Sequence, residues 1–194
     1  MNNSISKKEL FTNPQKSKKP IIIAGILVSV IVAISLFIFV GLGGKGSEKY
    51  FGSPVAEARS YVGKNISMTL VNPIIEDGNI KISLEEVDKN SIVSFEVENN
   101  EKQTIPMMAY ITPSGRLFVG SSMCEPCRGT KFSLAGETLV CDTCKTTYTI
   151  ESHEFLSGAK VCGSYPPVYM NPTVVNGNII ISKEEVSKWK IRAL

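Results

Sequence analysis

The chain has 194 residues with a formal net charge of +3, enough for one ordinary domain and an anchor. Five lysines and one glutamate lie before residue 43, so the remainder carries 16 basic against 17 acidic residues. That near balance leaves no basic face for nucleic acid, and the single histidine excludes a multi-histidine metal site within one chain.

In chain order, residues 1–20 form a basic tail with Lys7, Lys8, Lys16, Lys18 and Lys19. The uncharged run Ile21–Leu42 then predicts a transmembrane helix, since about 20 apolar residues cross a bilayer core of about 30 Å. The run is longer than a signal-peptide core, and GLGGKGS after it is a poor cleavage site. The lysine excess before the span predicts a single-pass cell-membrane protein with a cytoplasmic N-terminus and an extracytoplasmic C-terminal domain.

Residues 43–65 read as a linker leading to a short helix. Ser53-Pro54 supplies a cap and first-turn proline, and Val55, Ala58 and Val62 share a face. Residues 66–194 then read as a small antiparallel all-β sandwich or barrel with one core. Asn72–Val87 (NPIIEDGNIKISLEEV) recurs 99 positions later as Asn171–Val186 (NPTVVNGNIIISKEEV). Asp77-Gly78 and Asn176-Gly177 predict tight hairpins, each followed by a strand running into an edge-like Ser-x-Glu-Glu segment. Glu85-Glu86 recurs with the repeat and reads as structural. The length of the match predicts two related halves with one such unit each, and because cysteines follow only the first copy, function is expected in what the second half gained.

Between the copies, Ser91–Glu98 alternates apolar and polar residues, and further strands are expected at Thr104–Ile111, at Arg116–Val119 and on either side of Ala135-Gly136. Met107, Met108, Met123 and Met170 read as core or site wall, and His153 in the polar run ESHE as a surface residue.

Four cysteines form two Cys-x-x-Cys pairs, Cys124/Cys127 and Cys141/Cys144, with 13 residues between them. Two such knuckles can converge their sulfurs on one iron, one zinc or a small iron–sulfur cluster. Disulfides are the alternative in an oxidising compartment. Against them, five cysteines is an odd number, and a Cys-x-x-Cys bridge closes too short a loop to restrict the unfolded chain much. Covalent haem attachment is excluded, because Arg128 and Lys145 stand where a histidine is needed. No catalytic set is visible, so a free-standing enzyme is not expected.

The run from Arg116 to the C-terminus, with Cys124, Cys127, Cys141, Cys144 and Cys162 in the order CxxC, CxxC, C, resembles the FtrD-like membrane iron–sulfur protein family. The loop layout is also similar to Rieske-type domains, with Gly163-Ser164-Tyr165-Pro166-Pro167 as the third, proline-rich loop and Cys162 near the metal. Neither cysteine loop holds a histidine, which excludes a true His-ligated Rieske centre. The resemblance implies an iron–sulfur cluster or iron held by the first four cysteines. It gives Cys162 the role of fifth ligand, gate or redox-active neighbour, and makes Phe118, Phe132, Tyr148 and Tyr165 candidates to shield the centre. It implies electron transfer or metal handling linked to iron transport, beside a membrane transporter or redox partner. The competing readings are a structural zinc-ribbon-like interaction module and a thiol–disulfide protein.

Overall fold

The computed structural model describes residues 51–192. The apolar run Ile21–Leu42, and with it the expected transmembrane helix, lies outside the described residues. No helix among the described residues is long and apolar enough to cross a membrane.

Among the described residues, thirteen short strands build three sheets and three short helices accompany them. The middle sheet contains β2 (Thr69–Leu70), β5 (Ile92–Glu98), β6 (Thr104–Ile111) and β7 (Leu117–Ser121), in the order β2-β5-β6-β7. Only the β2–β5 pairing is parallel. β5 and β6 pair in unbroken register from Ile92↔Tyr110 to Glu98↔Thr104. Side chains alternate across a strand, and here both faces are covered. Val93, Phe95, Val97, Met107, Ala109, Ile111, Leu117 and Val119 enter one hydrophobic cluster. Ile92, Met108, Tyr110 and Phe118 enter a second on the opposite face. The expected single-core sandwich is therefore a three-sheet stack with two cores. Met107 to Ile111 is apolar at every position because neither face meets water.

The first cluster is closed by the repeat. One copy gives β3 (Ile74–Glu76), β4 (Asn79–Ser83) and α1 (Leu84–Asn90). The other gives β12 (Thr173–Val175), β13 (Asn178–Ser182) and α3 (Lys183–Lys188). β4 and β13 pair antiparallel about a local two-fold, Asn79↔Ser182 through Asn178↔Ser83. The symmetry extends to the ends, where Leu84 N donates to Gly177 O (2.9 Å) and Lys183 N to Gly78 O (3.0 Å). The two copies are thus halves of one sheet, not of two domains, and the cysteine layer is an insertion between them. Nor is Ser-x-Glu-Glu an edge strand. Ser83 and Ser182 each accept a hydrogen bond from the amide three residues on, at 3.4 and 3.3 Å, and so cap α1 and α3. Ser83→Ala and Ser182→Ala should each cost about 1 kcal/mol in chemical denaturation, with the two losses adding in the double variant.

The second cluster is closed by the five-stranded sheet β1 (Asn65–Ser67), β8 (Phe132–Ala135), β9 (Thr138–Cys141), β10 (Thr147–Thr149) and β11 (Phe155–Ser157), in the order β1-β8-β9-β10-β11. The four-residue α2 (Lys160–Gly163) follows β11.

The helix expected after Ser53-Pro54 does not form. Residues 54–59 instead lie along the β6–β7 turn, where Val55 N and Ala56 N both donate to Gly115 O and Arg59 N to Pro113 O. A helix so short is marginal alone, and the turn offers its carbonyls instead. Gly115 permits the contact, because a Cβ there would sit 2.1 Å from Ala56 O.

Candidate metal centre

The two Cys-x-x-Cys segments fold as near copies. In the first, Arg128 N donates to Cys124 O (2.8 Å) and Cys124 N to Gly129 O (2.8 Å). In the second, Lys145 N donates to Cys141 O (2.9 Å) and Cys141 N to Thr146 O (2.9 Å). Each turn closes with the residue after its second cysteine at positive φ, Arg128 at 60° and Lys145 at 58°. The β8–β9 hairpin carries the chain from one knuckle to the other, with Phe132 opposite Cys141. Gly129 lets them meet, since a Cβ there would lie 2.5 Å from Thr143 Oγ1 and 3.1 Å from Cys141 Sγ.

The sulfurs of Cys124, Cys127, Cys141 and Cys144 all lie within 4.8 Å of one another. Across the knuckles, Cys124 Sγ is 3.8 Å from Cys144 Sγ, and Cys127 Sγ is 3.8 Å from Cys141 Sγ. A disulfide needs about 2.05 Å, and all five cysteines are free, so the disulfide alternative is not what the structure holds. A metal–sulfur bond of about 2.3 Å makes a tetrahedron edge of about 3.8 Å. The foursome therefore fits one tetrahedral ion. A sulfide-bridged cluster hangs its terminal sulfurs on different ions, and the knuckles would have to part to take one.

The thiols are electrostatically unequal. Burial pushes Cys124 up, and burial likewise takes Cys141 to about 11. Cys144 is also opposed by burial, but the Thr146 hydroxyl and amide and the neighbouring thiols outweigh it and bring it down to about 6. Thr146 Oγ1 lies 3.2 Å from that sulfur. Neutral thiols keep the buried sulfurs from gathering unpaired charge, and a cation is what makes four thiolates tolerable there.

Cys162, the proposed fifth member, is buried in the same cluster and interacts with the Cys124 and Cys144 thiols, yet falls outside the close foursome. Its carbonyl accepts from Tyr148 Oη at 2.7 Å. Of the four candidate shielding rings, Phe118, Phe132 and Tyr148 are buried in the cysteine cluster. Tyr165 is only half-buried and lies under the Arg192 guanidinium, 5.1 Å from its ring centroid. Met107, Met108 and Met170 are core, and Met123 is half-buried.

His153 is not the surface residue that its polar neighbours suggest. A positive φ of 56° turns it inward, where it is buried against Phe51 and Phe118. Nδ1–H donates to Pro167 O (3.2 Å), and Nε2 meets Tyr110 Oη at 2.7 Å, so the ring pins the proline loop to the middle sheet. Burial drives its pKa down to about 3. Because that lies below the ordinary 6.5, the unfolded chain binds the extra proton, and the contribution to stability is complete above pH 6.5. It falls by about 1.4 kcal/mol per unit as the pH drops toward 3. Urea midpoints from pH 7 to 4 should therefore decline more steeply in the native protein than in His153→Gln.

Two residues missed in the sequence complete the site. Glu125, inside the first knuckle, is 1% exposed. Arg192 donates to its carboxylate from the backbone N (2.6 Å to Oε2) and from Nε (2.8 Å to Oε1), and also from Nη2 to Pro166 O (2.8 Å). The clamp ties the first knuckle to the proline loop behind Cys162.

A family model described as membrane iron-sulfur containing protein FtrD-like matches residues 87–192, more than half of the sequence. The chain belongs to the FtrD-like family. The match begins at Val87 in α1 and takes in all five cysteines, the clamp and the second repeat copy. No curated protein and no solved structure matches. Four close cysteine sulfurs that could hold a metal agree with that description.

Proposed function

We propose that this FtrD-like protein is a membrane-anchored, extracytoplasmic iron protein that passes single electrons in the service of iron transport. The observation that carries the reading is the convergence of four free thiols within 4.8 Å of one another, with the two separations across the knuckles at the 3.8 Å edge of one tetrahedron. Iron bound there supplies a one-electron ferrous–ferric couple. Cys124, Cys127, Cys141 and Cys144 would hold it, with Cys162 as a buried neighbour.

The rest follows from the surrounding residues. Cys124 and Cys141 face inward among Phe132, Leu139 and Tyr148, which exclude water from one side. Cys127 and Cys144 are half-buried and mark the side from which electrons enter and leave. The knuckle hydrogen bonds and the Glu125–Arg192 clamp hold the ligands in place, which keeps reorganisation small when the charge changes. The apolar run Ile21–Leu42 and the lysine excess before it support the anchor and the outward orientation.

The test is a redox titration of the anaerobically purified full chain in detergent, followed by absorption and EPR. The expected result is reversible one-electron bleaching with a mononuclear ferric signal. A colourless protein carrying zinc alone would sink the electron-transfer role and leave the zinc-ribbon-like interaction module.

A further inference from the structure

The centre is lopsided. Two sulfurs are turned into the core and two are half-exposed, and side chains of one kind gather around the exposed pair. Arg128 and Lys145, each directly following an outward cysteine, stand exposed at the knuckle tips. Lys131 is exposed just beyond the first knuckle. α2 lies against the second knuckle, because Ala159 N donates to Thr146 Oγ1 (3.3 Å) and a Cβ on Gly158 would come within 2.6 Å of Thr146 Cα. That brings Lys160 and Val161 (55% exposed) to the same edge, with Phe155 (40%) and Leu156 (50%) on the adjoining strand. Of the carboxylates nearby, Glu125 is offset by Arg192, whereas Asp142 accepts only from the neutral Ser133 Oγ at 2.8 Å and keeps its charge, and Glu154 has a partner of its own, so the four cations still outnumber the acidic groups on this face.

We propose that this face, centred on Cys127 and Cys144, docks the acidic rim of a partner protein. The inference rests on the electron-transfer reading above, because a centre that exchanges electrons must bring its exposed edge to its partner. Exposed apolar side chains beside charged ones are the ordinary anatomy of such a contact. The sign of the charges selects an acidic partner and speeds encounter. A lipid surface is the weaker occupant, since it would cover the outward sulfurs and leave no acceptor beside them. The cations have a second explanation, which is that they merely offset the charge of a tetrathiolate holding a divalent ion. The two explanations part in solution. A merely compensated centre has no preference for an anionic reagent, whereas a docking face attracts one.

The experiment uses the full chain in nanodiscs of neutral lipid, native and R128E/K145E. Neither residue is a ligand, and the metal content of both proteins is measured first. The reduced protein is mixed with hexacyanoferrate(III) or hexaammineruthenium(III) in stopped flow. At low salt the double substitution should slow oxidation by the anionic reagent about tenfold and accelerate oxidation by the cationic one, and high salt should erase both changes. Rates indifferent to the substitutions with both reagents would overturn the proposal. A second arm needs no redox chemistry. The zinc-loaded chain is titrated with poly-glutamate and followed by NMR, where shifts should centre on Arg128, Lys145 and Val161 and vanish in the variant. Poly-glutamate binding in a chain that never takes up iron would sustain the surface while removing the electron-transfer reading. A working redox centre without that binding would do the reverse. Phosphatidylglycerol vesicles that bind these residues more tightly than poly-glutamate would assign the face to lipid and overturn the proposal.

Discussion

Cys141→Ser should reduce bound metal to nothing and melt the cysteine layer, while Cys162→Ser should keep the metal. Cys141 is fully buried, and its sulfur is one corner of the close foursome. A serine hydroxyl is a poor substitute for a soft thiolate at that corner. Structural zinc in small finger peptides binds with about 10–16 kcal/mol at neutral pH, comparable with the whole stability of a domain at about 5–15 kcal/mol, and sets the scale for a metal held by these four cysteines. The cluster containing Cys124, Cys141, Tyr148 and Phe132 should therefore lose its cooperative melt together with the ion. Metal analysis with near-UV circular dichroism reads both effects. Cys162 tests the ligand set from the other side, because its sulfur lies beside the four but outside their mutual distance. Loss of metal in Cys162→Ser to the same extent would make it a ligand and refute the tetrahedral assignment.

Arg192→Ala should cost about 3 kcal/mol and loosen the metal, although the residue is far along the chain from every cysteine of the foursome. The substitution leaves the Glu125 carboxylate, 1% exposed, without its side-chain partner. Removing one member of a buried ion pair strands the other charge, at about 3–5 kcal/mol. The lower end applies because the Arg192 side chain is itself 39% exposed and part of its interaction is screened. The Pro166 carbonyl and the Tyr165 ring lose their contact at the same time. The check is thermal melting together with the rate of metal transfer to a chelator. Adding Glu125→Gln to Arg192→Ala should recover part of the stability, because the stranded charge is then gone.

Signals carried by local pattern were legible in the sequence. The alternation of Ser91–Glu98 marks β5, and Thr104–Ile111 is β6 to the residue. The Asp77-Gly78 and Asn176-Gly177 pairs, and Gly136 after Ala135 ends β8, sit at turns because they accept positive φ. The cysteine spacing reveals the foursome, since a Cys-x-x-Cys turn can point both sulfurs the same way. What stayed hidden depends on partners far away in sequence. The fate of residues 53–62 is decided by the carbonyls of Pro113 and Gly115, and Glu125 finds its cation 67 positions away. His153 sits among polar neighbours and is buried by the turn it occupies, which no periodicity reports. The repeat was visible as a repeat, but that its copies pair with each other follows only from the three-dimensional two-fold. One signal was there to be read. Ser83 and Ser182 with a glutamate three residues on is a helix-capping pattern, and the two capped helices follow from it.

The proposed centre has four sulfurs from two knuckles around a single iron ion. Iron and acid-labile sulfide, assayed together on the anaerobically purified full chain, test it most directly. One iron per chain with no sulfide is the expected result. Two or more irons with matching sulfide would mean that the knuckles part around a bridged cluster, and the single-ion account would be wrong.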